Sequence, residues 1–222
     1  ALSPQQYIDF VKKNNNGDNV TFPVIFGWVK DSRDSLLFPT RGIVHRASVE
    51  LAIPGSDLKY YRTSYQIQPF IPLSKNLTLM LNGEIGYGGG YGGSDLPFYK
   101  NYFGGGIGSV RGYDTGSLGP TQLNQQGEEE RLGGTRKIVA NAELLYSVPK
   151  FEKSVRLGAF FDAGQIYAKN CNKGDCDFRY SVGLSLLWVS PMGPLKFNVA
   201  QPLNKRSGDK IERFQFQLGT SF

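Results

Sequence analysis

Histidine, cysteine and long apolar runs are scarce in this chain, and each scarcity removes a class of function. One histidine, His45, and two cysteines, Cys171 and Cys176, stand among 222 residues. A lone Cys-x4-Cys pair falls short of a four-ligand zinc site, and His45 is remote from it in sequence. A single histidine on an otherwise apolar strand face also leaves no nucleophile–base–orienter set. No catalytic residue, metal site or cofactor is therefore expected. No stretch of about 18 apolar residues exists, so no transmembrane helix is expected. The opening "ALSPQQYIDF" lacks a basic region leading into an apolar one, so no signal peptide is expected. Basic blocks are missing too. The 25 basic and 19 acidic residues give a net charge of +6 that is spread along the chain. Short pairs such as Lys12-Lys13 and Lys205-Arg206 read as solvated loops, so nucleic acid is not an expected partner.

Glycine and aromatics are abundant instead, with 28 Gly, 12 Pro and 13% Phe, Trp and Tyr. No Gly-X-Y period accompanies the glycines, which excludes collagen, and the recurring aromatic and β-branched residues argue against simple disorder. The dominant pattern is period two. In "KIVANAELLYSV" (137–148), Ile138, Ala140, Ala142, Leu144, Tyr146 and Val148 share one face. Lys137, Asn141, Glu143 and Ser147 share the other, with Val139 and Leu145 as exceptions. The alternation recurs in nine segments, roughly 20–30, 41–53, 60–71, 77–88, 136–148, 154–167, 179–189, 194–202 and 212–222. A helical period competes only weakly, in 4–13.

Most segments are about twice as long as the strands of soluble sandwiches and match the nine to eleven residues or so of a tilted bilayer-crossing strand. Aromatics on the apolar face cluster near segment ends, at Trp28, Tyr61, Tyr87, Tyr146, Trp188 and Phe222, as interfacial girdles require. The fold class expected is therefore all-β, a transmembrane antiparallel β-barrel. Tight Pro-marked turns at 148–154 and 190–194 alternate with longer connections at 168–178 and 88–135, as periplasmic turns and outer loops do. Nine strands are an odd number, and an open sheet in lipid leaves backbone groups unpaired. The chain is expected to be the C-terminal part of a larger barrel.

The 88–135 connection contains "GSVRGYDTG" (108–116), which presents a lone Arg111 among glycines. Its glycine spacing does not fit a phosphate-cradling loop, and no helix pattern follows. Glu143 and Asp162 lie on the polar faces of consecutive segments, and two facing carboxylates favour a shared cation. A guanidinium donates to both at once. Two readings stand. Either the loop folds into the lumen and Arg111 meets these acids, with Val110 and Tyr113 against the inner wall, or the acids face water in a pore and Arg111 sits in an exposed tip. The cysteines in "NCNKGDCDF" similarly read as a small loop disulfide, Cys171–Cys176, or as two free thiols.

"VRGY" (110–113) resembles the VRG[F/Y] signature in the sixth extracellular loop of the BamA family of barrel-assembly insertases. The likeness extends through "IPGSD" (53–57), "LPFYKNYF" (96–103), "LGGT" (132–135), "FFDAGQIY" (160–167), "SPMGPLKFNVAQPL" (190–203) and "FQFQLGTSF" (214–222). It implies about nine C-terminal strands of a sixteen-stranded barrel in the outer membrane of a Gram-negative bacterium, with the POTRA domains and first strands absent. It implies that the motif Val110, Arg111, Gly112 and Tyr113 enters the lumen and that Arg111 pairs with Glu143 and Asp162. The final strand, with Phe214, Phe216, Leu218, Gly219 and Phe222, would form one side of a lateral seam. The implied function is folding and insertion of outer-membrane β-barrel proteins, with nascent barrels and the lipid bilayer as partners and accessory lipoproteins bound mainly through the POTRA domains. A related transporter that exports protein through the pore is the alternative. Here 114–131 is short and free of cysteine, unlike the longer post-motif loop often found in the family, so the disulfide expectation rests on local chemistry alone.

Overall fold

A computed structural model describes residues 3–14, 17–168, 177–206 and 208–219. A short helix, α1 (Gln5–Lys13), precedes the strands β1 (Pro23–Asp31), β2 (Gly42–Ala52), β3 (Tyr60–Pro72) and β4 (Leu77–Gly90). Within the following connection lie β5 (Gly112–Tyr113), β6 (Thr121–Leu123) and β7 (Glu129–Arg131). Then come β8 (Arg136–Ser147), β9 (Val155–Tyr167), β10 (Arg179–Ser190), β11 (Gly193–Pro202), β12 (Ile211–Glu212) and β13 (Phe214–Leu218). Nine of these form one antiparallel sheet in the order β1-β2-β3-β4-β8-β9-β10-β11-β13. Each long strand pairs with its sequence neighbour, which is the meander of an up-and-down barrel wall. Among the described residues β1 and β13 do not pair, so both outer edges of the sheet are open. No helix among the described residues is long and apolar enough to cross a membrane; the strands are the crossing elements.

Alternation sorts the side chains as two solvents require. Outward-facing Ile85, Ile138, Leu144, Leu157, Leu184 and Phe216 are exposed, while Thr78, Asn82, Glu143, Asp162, Ser181 and Gln215 are buried on the other face. That inversion, apolar out and polar in, separates a lipid-facing wall from a soluble barrel. Inside, a belt of side-chain amides runs across the strands. Arg46 Nη1 donates to Gln66 Oε1 (2.9 Å), Gln66 Nε2 to Asn82 Oδ1 (2.7 Å), and Asn82 Nδ2 to Asn141 Oδ1 (2.8 Å). Outward aromatics band both ends: Tyr61 packs beside Tyr87 (5.9 Å) at one, and Tyr146 and Trp188 mark the other.

The two ends of the sheet differ. Residues 73–76, 148–154 and 191–192 are short turns at one end. At that same end the ten residues 32–41 fold back over the lumenal mouth, where Arg156 donates to the carbonyls of Pro39 (2.8 Å) and Phe38 (3.2 Å). The opposite end carries the long connections. There α1 stacks Tyr7 on Phe98 (4.2 Å) and lays Phe10 against the buried cluster Ala52, Leu58, Tyr60 and Leu96.

Three sequence expectations shift. The long connection spans 91–135, since the glycines through Gly90 continue β4 by pairing with Tyr60 and Tyr61. It is not devoid of strands, because β6 and β7 form a hairpin within it. The expected last segment, 212–222, is broken. Ile211 and Glu212 pair with Tyr113 and Gly112 of β5, and bonding to β11 begins at Arg213, whose carbonyl accepts from Ala200 N–H (2.8 Å), with the ladder proper from Phe214. The alternation is uninterrupted there, but the hydrogen-bond partner changes across Arg213.

Candidate functional site

The chain around the motif folds back on itself before it reaches the wall. Gly106 N–H donates to Tyr113 O (3.0 Å), Ser109 N–H to Gly106 O (3.1 Å), and Gly104 bridges Leu118. Gly112 has φ +88, and a Cβ there would stand 3.0 Å from Ala200 Cβ and 3.3 Å from the Pro202 ring. Only glycine combines that left-handed backbone with that approach to β11. Val110, Tyr113, Tyr102, Leu118 and Ile166 make a fully buried apolar cluster on the lumenal side. Tyr102 anchors it by donating its hydroxyl to Thr63 O (2.6 Å). Burial, with the carboxylate of Asp209 nearby, pushes the phenol of Tyr113 up to about 12. This residue lies in the loop, outside the spanning strands.

Arg111 is 2% exposed. Its Nε (2.7 Å) and Nη2 (2.8 Å) donate to Oδ2 and Oδ1 of Asp162, and its own backbone N–H adds a third bond to Oδ2 (3.0 Å). Nη1 donates to Glu143 Oε2 (2.9 Å) and more weakly to Asn198 Oδ1 (3.5 Å). The guanidinium plane lies on Phe160, with Cζ 3.4 Å from the ring centroid. The Ser185 hydroxyl occupies the other oxygen of Glu143. Lys196 brings a second cation, Nζ 4.0 Å from Glu143 Oε2. Two carboxylates thus share Arg111 directly, with Lys196 at longer range. Removing a direct partner from such a buried pair is costly, because an uncompensated buried charge costs several kcal/mol.

Neighbouring glycines make room. A Cβ on Gly158 would collide with Glu143 Oε1 and the Ser185 hydroxyl, and one on Gly164 would sit 2.8 Å from Val110 Cγ2. Beside the motif, toward the short-turn end, lies a cavity of about 440 Å³ bounded partly by Arg111, Arg156 and Leu36.

The structure therefore brings Val110, Arg111, Gly112, Tyr113, Glu143 and Asp162 into one site, with Arg111 inside rather than in an exposed tip. On the last strand Phe214, Phe216 and Leu218 are exposed on the outward face, and Gly219 N–H donates to Pro194 O (2.8 Å). Phe222 and the pair Cys171 and Cys176 lie outside the described residues. His45 faces outward, its Nδ1 2.8 Å from the hydroxyl of Tyr65. Among the described residues no group of His, Cys, Asp and Glu is arranged to hold a metal ion.

Five further members of the site were not named from the sequence: Phe160, Ser185, Lys196, Asn198 and Gln215. All sit at inward parity on their strands. Phe160 carried a readable signal, as an aromatic on the inward face of a segment whose neighbours at that parity are Gly158, Asp162 and Gly164. For the others, parity alone does not single them out.

A family model described as the Omp85 superfamily domain matches residues 2–222. The chain is 41% identical, over 99% of its length, to "Outer membrane protein assembly factor BamA" of Neisseria meningitidis serogroup B, and covers 32% of that protein. It is 27% identical to the "Sorting assembly machinery 50 kDa subunit" of Saccharomyces cerevisiae, over 93% of this chain and 44% of that one. Among solved structures it matches the crystal structure of BamA from Haemophilus ducreyi lacking POTRA domains 1-3, with a TM-score of 0.88 and 30% identity, over 97% of this chain and 47% of that one. The chain spans about a third of the length of the first of these relatives and about half of that solved chain.

Proposed function

Because the chain belongs to the Omp85 superfamily, whose relatives found here are outer-membrane and sorting assembly factors, we propose that it forms the seam-bearing half of an insertase that folds and inserts β-barrel proteins into the bacterial outer membrane. Nascent barrels are its substrates, and the lipid bilayer and accessory lipoproteins its other partners. The likeness to assembly factors over nearly the whole chain favours this over export of a passenger protein through the pore.

The observation that carries the reading is the free outer edge of the last strand. Among the described residues β13 pairs with β11 from Leu195↔Leu218 to Val199↔Phe214, and bonds from Ala200 N–H to Arg213 O (2.8 Å) and from Gly219 N–H to Pro194 O (2.8 Å) extend the ladder at both ends. Its other edge is open among the described residues, and Phe214, Phe216 and Leu218 already face the lipid side. An incoming strand can add to that edge by backbone hydrogen bonds with alternate side chains directed into lipid, which is β-augmentation. The driving force is satisfaction of backbone groups and apolar burial in hydrocarbon, so no covalent chemistry is required of the protein. In this scheme the Arg111 cluster keeps the loop docked on β8 and β9 beside the last strand, while a substrate strand adds to the open edge of β13.

The test is reconstitution of the full-length protein into liposomes with an unfolded outer-membrane barrel as substrate. Assembly, read as a heat-shifted, protease-resistant band, should be several-fold faster than with empty liposomes. Equal rates would end the proposal.

A further inference from the structure

The last strand and the loop motif share hydrogen bonds, and one side chain accounts for much of that link. Gln215 points inward from β13, 3% exposed, in register with Asn198. Its Nε2 donates to Tyr113 O (2.8 Å) and its Oε1 accepts from Gly112 N–H (3.3 Å). A single amide thus accepts from the N–H of buried Gly112 and adds a second donor to the carbonyl of buried Tyr113, which also accepts from Gly106 N–H (3.0 Å). Immediately upstream, β12 pairs with β5, and Asp114 N–H donates to Lys210 O (2.9 Å). Only Arg213 separates this pairing from the strand that lines the seam.

From this geometry we propose that Gln215 is a positioning residue that tethers the Val110–Tyr113 motif to the last strand, so that loop tip and seam move as one body. The proposal rests on the insertase reading given above. Its physical basis is that a buried peptide group left without a partner costs more than the bond it lost. If β13 swings away alone, Gly112 N–H loses the Gln215 acceptor inside the lumen and Tyr113 O keeps only Gly106 N–H; if the loop leaves alone, the Gln215 amide keeps only Glu212 Oε2 (3.2 Å). Either separation is penalised, and the penalty is reciprocal, as any coupling between two sites must be. Arg111 fixes the loop to the wall of β8 and β9, while Gln215 fixes it to the strand that a substrate meets.

The experiment uses the full-length protein in liposomes, with Cys171→Ser and Cys176→Ser in every arm. Two quantities are read: amide hydrogen exchange over residues 109–116 and the initial rate of assembly of an unfolded outer-membrane barrel. Gln215→Leu keeps the bulk but removes the amide. It should speed exchange at Gly112 by about three- to tenfold and slow assembly several-fold, with the heat-shifted migration of the protein unchanged. In that background, Asp114→Cys with Lys210→Cys re-creates the tether as a disulfide. Oxidation should restore both readouts and reduction should remove the gain. Unchanged exchange and rate in Gln215→Leu, or a closed disulfide that restores neither, would overturn the tether, and thiols that fail to pair would contradict the register. Should Gln215→Leu not fold, the same disulfide beside the native Gln215 decides. Assembly unaffected by oxidation supports joint motion, and assembly abolished by oxidation means that the two must part. If the serine reference itself does not accelerate assembly, the insertase reading fails, while the exchange arm still reports on the tether.

Discussion

On β9 the inward side chains Arg156, Phe160 and Asp162 are buried, whereas on β1 every residue from Pro23 to Asp31 is exposed. Both are long strands of the same sheet, and both present apolar residues to the outside. The difference lies in what rests on the inner face. Behind β9 stands the docked loop, with Arg111 between Asp162 and Glu143 and Val110 against Gly164. Behind β1 nothing in the described residues takes that place. On β9 the inward residues acquire a core because the loop lies on them, and polar residues that would otherwise face lumenal water become a buried ionic cluster; β1 has neither that loop nor, among the described residues, a neighbour on its outer edge.

The comparison breaks most visibly at the charges. Asp162→Ala leaves a buried guanidinium with one carboxylate and should destabilise the folded protein by about 3–5 kcal/mol, measured by guanidinium unfolding in lipid. Combined with Arg111→Ala the losses should be far from additive, with a coupling of about 1–3 kcal/mol. Additive losses would mean that the loop is not held by this pair. Next come the glycines. Gly164→Ala drives a methyl into Val110 and should cost about 1–3 kcal/mol. Gly27 on β1 has nothing within 4 Å of an added Cβ, so Gly27→Ala should stay within about 0.5 kcal/mol. Equal effects at the two glycines would show that the loop does not press on the wall.

Smaller changes sharpen the same contrast. Lys196→Met removes the more distant cation, but Glu143 keeps Arg111 and the Ser185 hydroxyl. The expected loss is about 1 kcal/mol, well below that of Asp162→Ala in the same titration. At the surface, Lys13 pairs with Asp95 at 2.9 Å with both side chains more than half exposed. Lys13→Ala should shift stability by less than about 0.5 kcal/mol, and raising the salt concentration should erase even that.

Much of this was legible in the residues. Alternation placed the long strands within a residue or two at most ends, and it put Glu143 and Asp162 on one face because side-chain parity is a property of the strand itself. Two like charges at inward positions on adjacent strands also announce the need for a cation, which is why Arg111 stood out. The rest of the site was not readable in that way. Asn198, Lys196 and Gln215 are polar and inward like many others, and only the register across three strands and the depth of the loop select them. The detour of Ile211 and Glu212 to β5 was hidden for the same reason, since alternation says which way a side chain points but not which backbone its strand bonds to.

Local chemistry in the sequence thus determined the number of crossing strands, their two faces and the glycines that let a chain turn tightly, because each follows from backbone geometry within a few residues. Which inward polar groups are buried, and which partners they meet, was decided only when the 91–135 loop docked on the wall. That outcome depends on contacts between residues 32 to 102 positions apart, and no short-range pattern encodes them.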